Sequence, residues 1–443
     1  MVKIFPFRGY HYDPRKVKLD DVVTQPYDKI DAAMQDEYYR RSSHNATRLL
    51  KAKELPGDNE LQNKYTRAYH FLHKWIDEGI LVRDELPTIY AYHQEYEVLG
   101  DLRVRKGFIA LAEVEPFGAT VKAHETTLAA PKADRLNLMK ATHANFGHIF
   151  MLYSDPERAV NRIIDERIAG REPDLQATDD FGNTHKVWKI QDDEAIKGIQ
   201  RAMANKELFI ADGHHRYETG VNYYNAMKEL GVEEAGDESI HNLMMTLINL
   251  DEPGLTVLAT HRMIHSLADF DLENLLAKAA EHFEIEEYPY ASDEDAARDM
   301  LFARMDELAD KAHVFGLWVR EGSALYLLRL KDEAVMDAMV EGKSDDWKHL
   351  DVTILHTILM DRYLGIDARA LEAQTNVKYG RYRKDTLERA KADEQFQLVF
   401  FVNPTKAAQV KAVAEHGEKM PQKSTDFYPK LLSGLTINKI NVE

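Results

Sequence analysis

Glu207-Leu208-Phe209-Ile210-Ala211-Asp212-Gly213-His214-His215-Arg216-Tyr217-Glu218 is the stretch around which this chain is organised. A short apolar run breaks on Asp-Gly, and polar residues then open a pattern that continues to Met227. The spacing predicts a buried strand, a tight turn and a helix whose first turn carries His214, His215 and Arg216. Such a helix start points backbone N–H groups and a positive dipole end at one place, which suits an anion. Gly213 removes the Cβ that would block a phosphate, and Arg216 supplies a fork that can bind one bidentately. Two adjacent imidazoles beside Asp212 could complete an acid–base or metal site. The plainer alternative is a polar strand–helix turn with a capping Asp and solvated histidines.

Working outward, helical patterns fall at 31–41 and 61–79, and strand runs at 88–98 and 103–114 joined by a hairpin turn at Leu99-Gly100-Asp101. A helix at 134–143, a strand at 146–153 and a helix at 156–169 follow, with Pro156 expected in its first turn. Residues 178–183 read as a polar turn, 186–190 as a strand, 192–204 as a helix and 241–250 as a buried strand. From 266 to 345, helices (267–282, 292–312, 332–341) alternate with strands (314–319, 324–330), an α+β pattern. A helix at 351–363 and a strand at 397–402 precede a tail mixing aromatics, Lys423 and Lys430, and turn residues. The expected organisation is an α/β core over 1–250, an α+β domain over 251–390, and a strand and C-terminal segment over 391–443 packing back on the core.

Composition excludes several classes. The chain of 443 residues has no cysteine, which removes disulfides, zinc–thiolate sites and Cys nucleophiles together. No run approaches the roughly 18 apolar residues of a membrane span, and the N-terminus lacks the apolar stretch of a signal peptide, so a cytoplasmic protein is expected. A formal charge of −18 repels nucleic acid and anionic membrane, so a small phosphate compound is the better ligand for an anion site.

Asp212-Gly213-His214-His215-Arg216 resembles the DGHHR box of the ParB/sulfiredoxin-like superfamily, especially its small free-serine kinases. In those proteins the box binds nucleotide phosphates, and an upstream His-Glu pair supplies the catalytic carboxylate; His124-Glu125 stands in the matching place. The spacing is longer than in the minimal kinases, so 130–205 would be an insertion. The whole chain is also identified as a member of domain of unknown function family 1015. The matching residues are Pro26-Tyr27-Asp28, His124-Glu125-Thr126, Asp134-Arg135, Ala211 to Tyr217, Pro253-Gly254-Leu255, Thr260-His261-Arg262 and Lys423 to Lys430.

The resemblance implies a nucleotide-binding core with elaborations, using ATP or ADP and Mg²⁺ to phosphorylate a small hydroxyl metabolite such as an amino acid. Arg216 and the helix start would hold phosphates, with Lys423, Ser424, Thr425 and Lys430 closing over them. Glu125 would be the base, unless it simply pairs with Arg135. Asp212 would carry Mg²⁺, and His214 and His215 would bond transferring oxygens. His124, Arg135, His261 and Arg262 are substrate-binding candidates, the last two being equally readable as a packed strand end. Rival readings are a nucleotide-binding regulatory switch without turnover and a metal-dependent phosphatase with zinc on His124, His214 and His215. Homodimerisation stays open as a partnership.

Overall fold

A computed structural model describes residues 1–115, 121–122, 129–232, 238–290 and 293–442. The chain forms two units, one of residues 1–255 and 429–443 and the other of 256–428. The class is mixed α/β.

The first unit is built on strands β1 (Ile4–Phe5), β2 (Ile89–Val98), β3 (Asp101–Glu113), β4 (Val121–Lys122), β5 (Ile149–Tyr153), β6 (Leu175–Thr178), β7 (Thr184–Ile190), β8 (Leu208–Asp212) and β9 (Asn242–Asn249). Among the described residues these make one sheet of order β4-β8-β5-β9-β3-β2-β7-β6, with β1 on β3. Neighbours are antiparallel except β4 with β8 and β5 with β9. The β2–β3 hairpin turns on Leu99 and Gly100, both at positive φ, the geometry a two-residue hairpin loop demands. The longer helices among the described residues are α1 (Ala32–Arg41), α2 (Lys64–Asp77), α3 (Ala129–Thr142), α4 (Ala159–Ile168), α5 (Asp193–Met203) and α6 (His214–Glu229).

The core of this sheet explains where α6 sits. Tyr217, Tyr223 and Met227 from α6 join Ile149, Met151, Leu208, Ile210, Leu243 and Met245 in one buried cluster. Burial of each such side chain contributes about 1.5–3 kcal/mol. Gly220 lets the helix approach, because a Cβ there would collide with the Leu243 side chain. Pro156 does not enter α4: Arg158, at φ 53°, stands at its N-cap, and the helix starts at Ala159.

The second unit carries an antiparallel sheet of β10 (His261–His265), β11 (Phe283–Pro289), β12 (Val314–Val319), β13 (Ala324–Leu330), β14 (Val377–Gly380) and β15 (Phe396–Val402), in the order β11-β13-β12-β15-β10-β14. β15 lies inside this sheet, so residues 391–428 belong here and only 429–443 return to the first unit. β11 directly follows the helix Leu272–His282 with no Gly or Pro to mark the change. The expected helix at 351–363 is α-helical only over Asp351–Ile354, then π-helical over Leu355–Tyr363. Among the described residues no helix is long and apolar enough to cross a membrane.

Candidate functional site

The site begins with a defect in a strand. β8 pairs with β5 in regular register at Phe209↔Leu152 and Ile210↔Met151, and then Asp212 falls opposite Phe150. Ala211 is therefore an extra residue, a bulge that re-aims the end of the strand. Gly213 at φ 97° closes the turn and stands at the N-cap of α6, where it has no side chain with which to cap the helix. The apolar run ends where it does because Asp212 is the first residue with a charge to solvate.

Two cations meet the Asp212 carboxylate. The Lys430 Nζ lies 3.3 Å from Oδ2, and the Arg216 Nη2 lies 3.7 Å from Oδ1. Burial pushes this carboxyl up, but Lys430, Arg216 and the more distant Lys29 outweigh it and hold the carboxyl far below the usual range. Arg216 is fixed from the other side as well, since its Nη1 donates to the His148 carbonyl. Its buried Nε has no hydrogen-bond partner among the described residues. The guanidinium folds over Gly213 so closely that a Cβ there would stand 2.9 Å from Nε. The His148 ring is buried between the Thr246 and Thr436 hydroxyls at 2.8 and 3.0 Å. Burial and the Arg216 charge push its pKa down to about 3, so it is neutral near pH 7.

Lys430 is held in place through its backbone. Its carbonyl accepts from Gln94 Nε2 at 2.9 Å, and the preceding Pro429 carbonyl accepts from Arg105. Arg105 is fully buried, bonded to Gln94 Oε1 and set 4.7 Å from the centre of the Phe150 ring. Further along, Leu432 N–H donates to the Tyr92 hydroxyl, and Ser433 bridges Thr24. The segment after Pro429 is thus a strap threaded across the sheet, and Lys430 is the point at which it meets β8.

Against this geometry, residues 4–353 match the family described as "Protein of unknown function (DUF1015)". The chain belongs to that family. No curated protein matches it. Solved structures similar to it include a conserved hypothetical protein from Pyrococcus furiosus, at 14% identity and TM-score 0.31 over 71% of this chain and 92% of that one. A free serine kinase variant in complex with AMP matches at 12% identity and TM-score 0.33, over 71% and 89%. SbnI with a C-terminal truncation, from Staphylococcus aureus, matches at 11% identity and TM-score 0.34, over 75% and 87%.

Of the residues expected at the site in this family member, Asp212, Gly213, Arg216 and Lys430 come together. His214 and His215 share the first turn of α6, His214 buried and His215 half-buried. His124 and Glu125 lie outside the described residues. Arg135 pairs with its neighbour Asp134 (Nε to Oδ2, 3.0 Å) and lies 4.3 Å from the centre of the Tyr27 ring. Lys423, Ser424 and Thr425 belong to the second unit. There Arg262 donates to the Lys423 carbonyl at 3.1 Å and Thr405 to the Ser424 carbonyl at 2.7 Å. His261 and Arg262 are buried on β10 in that unit; His261 Nδ1 accepts from Val402 N–H, and Arg262 Nη2 donates to His356 Nε2. Both are packed strand residues. Among the described residues no three His, Asp or Glu side chains cluster as metal ligands. Sequence reasoning missed Lys29, His148, Gln94 and Arg105; the one available signal was a charge, Arg105, on a strand that turns apolar three residues later, at Phe108.

Proposed function

We propose that this chain is a nucleotide-dependent phosphotransferase that uses ATP or ADP to phosphorylate the hydroxyl of a small metabolite. The observation that carries this reading is the Asp212–Gly213–Arg216 turn with Lys430 beside it: one carboxylate and two cations at a helix start whose N-cap residue is a glycine. Phosphoryl transfer needs positioning and charge neutralisation more than covalent chemistry, and these groups supply both. Arg216 and the backbone N–H groups of α6 hold phosphate oxygens, and Lys430 offsets their charge. Asp212 suits Mg²⁺, which takes one or two protein carboxylates and completes its shell with phosphate oxygens and water. Glu125 takes the hydroxyl proton. Supporting that role, β4 runs parallel beside β8 and ends at Lys122, three residues before Glu125.

Pure protein incubated with ATP or ADP, Mg²⁺ and L-serine is expected to form phosphoserine, read by mass spectrometry; no phosphoserine with either nucleotide removes that substrate. Glu125→Gln is expected to bind nucleotide with wild-type affinity and to transfer nothing. A regulatory reading without turnover finds support in the position of Lys430, which enters the site on a strap that has just left the second unit. It predicts nucleotide binding lost in Arg216→Ala and no phosphorylated product from any small hydroxyl compound.

A further inference from the structure

The N-terminal segment reaches the phosphate box only through the distant charge of Lys29, yet with α3 it walls a cleft of about 400 Å³. Tyr27, Leu50, Lys51 and Tyr65 line one side and Arg135 and Leu138 the other. A second pocket shares Tyr27, Leu50, Arg135 and Leu138 with this cleft and continues to Arg216 and Thr219, so the cleft runs toward the box.

The charges in the cleft do not cancel. Among the described lining residues Lys51, Lys64 and Arg135 face Glu54 and Asp134, leaving one positive charge over. Asp134 is saturated: it accepts from the Tyr65 hydroxyl at 2.9 Å, from Lys64 at 2.7 Å and from Arg135. Glu54 pairs with Lys64 at 2.8 Å. The charge left over is that of Lys51. Its ammonium donates to two neutral groups, the Tyr27 and Ile30 carbonyls, and has no carboxylate partner among the described residues. Asp28 and Asp31 act on it only at longer range; Asp28 lies beside Lys29 and Asp31 caps α1. An ammonium has three N–H donors, so one remains. Burial and the neighbouring Arg135 charge both push the Lys51 pKa down, a penalty that a bound anion would relieve.

We propose that this cleft is the acceptor subsite and that Lys51 binds the carboxylate of a small hydroxy or amino acid. One surplus charge matches a single carboxylate group, and the aliphatic walls of Leu50 and Leu138 fit the short carbon skeleton of such a compound. The word acceptor rests on the phosphotransferase reading; the carboxylate site does not.

Calorimetric titration of the full-length protein without nucleotide tests it, using L-serine, glycolate and L-serinamide, which keeps the hydroxyl and amine but lacks the carboxylate. Wild-type protein is expected to prefer L-serine to L-serinamide by about tenfold, the size of one charge-assisted hydrogen bond. Lys51→Gln is expected to lose that preference, Lys51→Arg to keep it, and Arg216→Ala to keep it too. That pattern supports the subsite even where no phosphoryl transfer is detected, in which case only the phosphotransferase reading fails. No carboxylate binding to wild type, equal affinity for L-serinamide, or an unchanged preference in folded Lys51→Gln overturns it. Where Lys51→Gln does not fold, the wild-type comparison decides alone.

Discussion

The Lys430 ammonium stands 3.3 Å from Asp212, although the chain traverses the whole second unit between them. Asp212 ends a strand and Lys430 rides on a strap, so the pair ties two elements that local structure does not connect. The carboxylate stays ionised because Lys430 and Arg216 outweigh its burial. Lys430→Met is therefore expected to lower unfolding free energy by about 2 kcal/mol, below the full cost of breaking a buried pair because the carboxylate is partly exposed. Combining it with Asp212→Asn should cost less than the two single changes summed, measured as a double-mutant cycle in urea.

Gly213→Ala should act on both backbone and site. An alanine at φ 97° is strained, and its Cβ would press on Arg216 Nε. A loss of about 1–3 kcal/mol is expected, together with displacement of Arg216 and at least partial loss of nucleotide affinity. Melting curves and calorimetry read the two effects separately.

Acid should destabilise the first unit in two windows. His148 is neutral when folded, with its pKa pushed down to about 3 from 6.5, so the unfolded chain binds a proton that the native one refuses. Its stabilising effect is complete above pH 6.5 and declines as pH falls toward 3, by about 1.4 kcal/mol per pH unit for one such group. Asp84 has its pKa lowered to about 2 although burial pushes it up, because His11, Lys189 and Tyr90 bond to its carboxylate. Its contribution is present above about pH 4 and is lost between there and pH 2. His148→Gln should flatten only the first window in urea titrations at pH 7, 6 and 5.

Removing residues 429–443 should unfold the first unit rather than trim it. Arg105 would lose the Pro429 carbonyl in a fully buried place, and His148 would lose Thr436. Loss of a cooperative thermal transition by circular dichroism is the expected result; a melting temperature within a few degrees of the full chain would contradict it.

Much of the first unit was legible because its signals are local. The β2–β3 hairpin rests on Leu99-Gly100, the box on an apolar run broken by Asp-Gly, and α5 on its periodicity. Elsewhere local signals misled. The expected helix ends at 282 and no element is expected over Phe283–Pro289, yet pairing with β13 makes that run a strand. The apolar positions of 351–363 fit an α-helix, yet from Leu355 the turn widens, and His356 on that run accepts from the buried Arg262. The tail from Lys423 to Lys430 reads as one segment but is split between the units, so Lys430 reaches Asp212 while Lys423 is held by Arg262.

From sequence alone came the box itself, Asp212 to Arg216, because a strand end, a left-handed glycine and a helix start are decided by residues a few positions apart. Only the tertiary structure decided which charges surround it. Lys29, Lys430 and the His148 carbonyl converge from three distant places, and an ionic partner is selected by distance in space, which no local pattern of residues encodes.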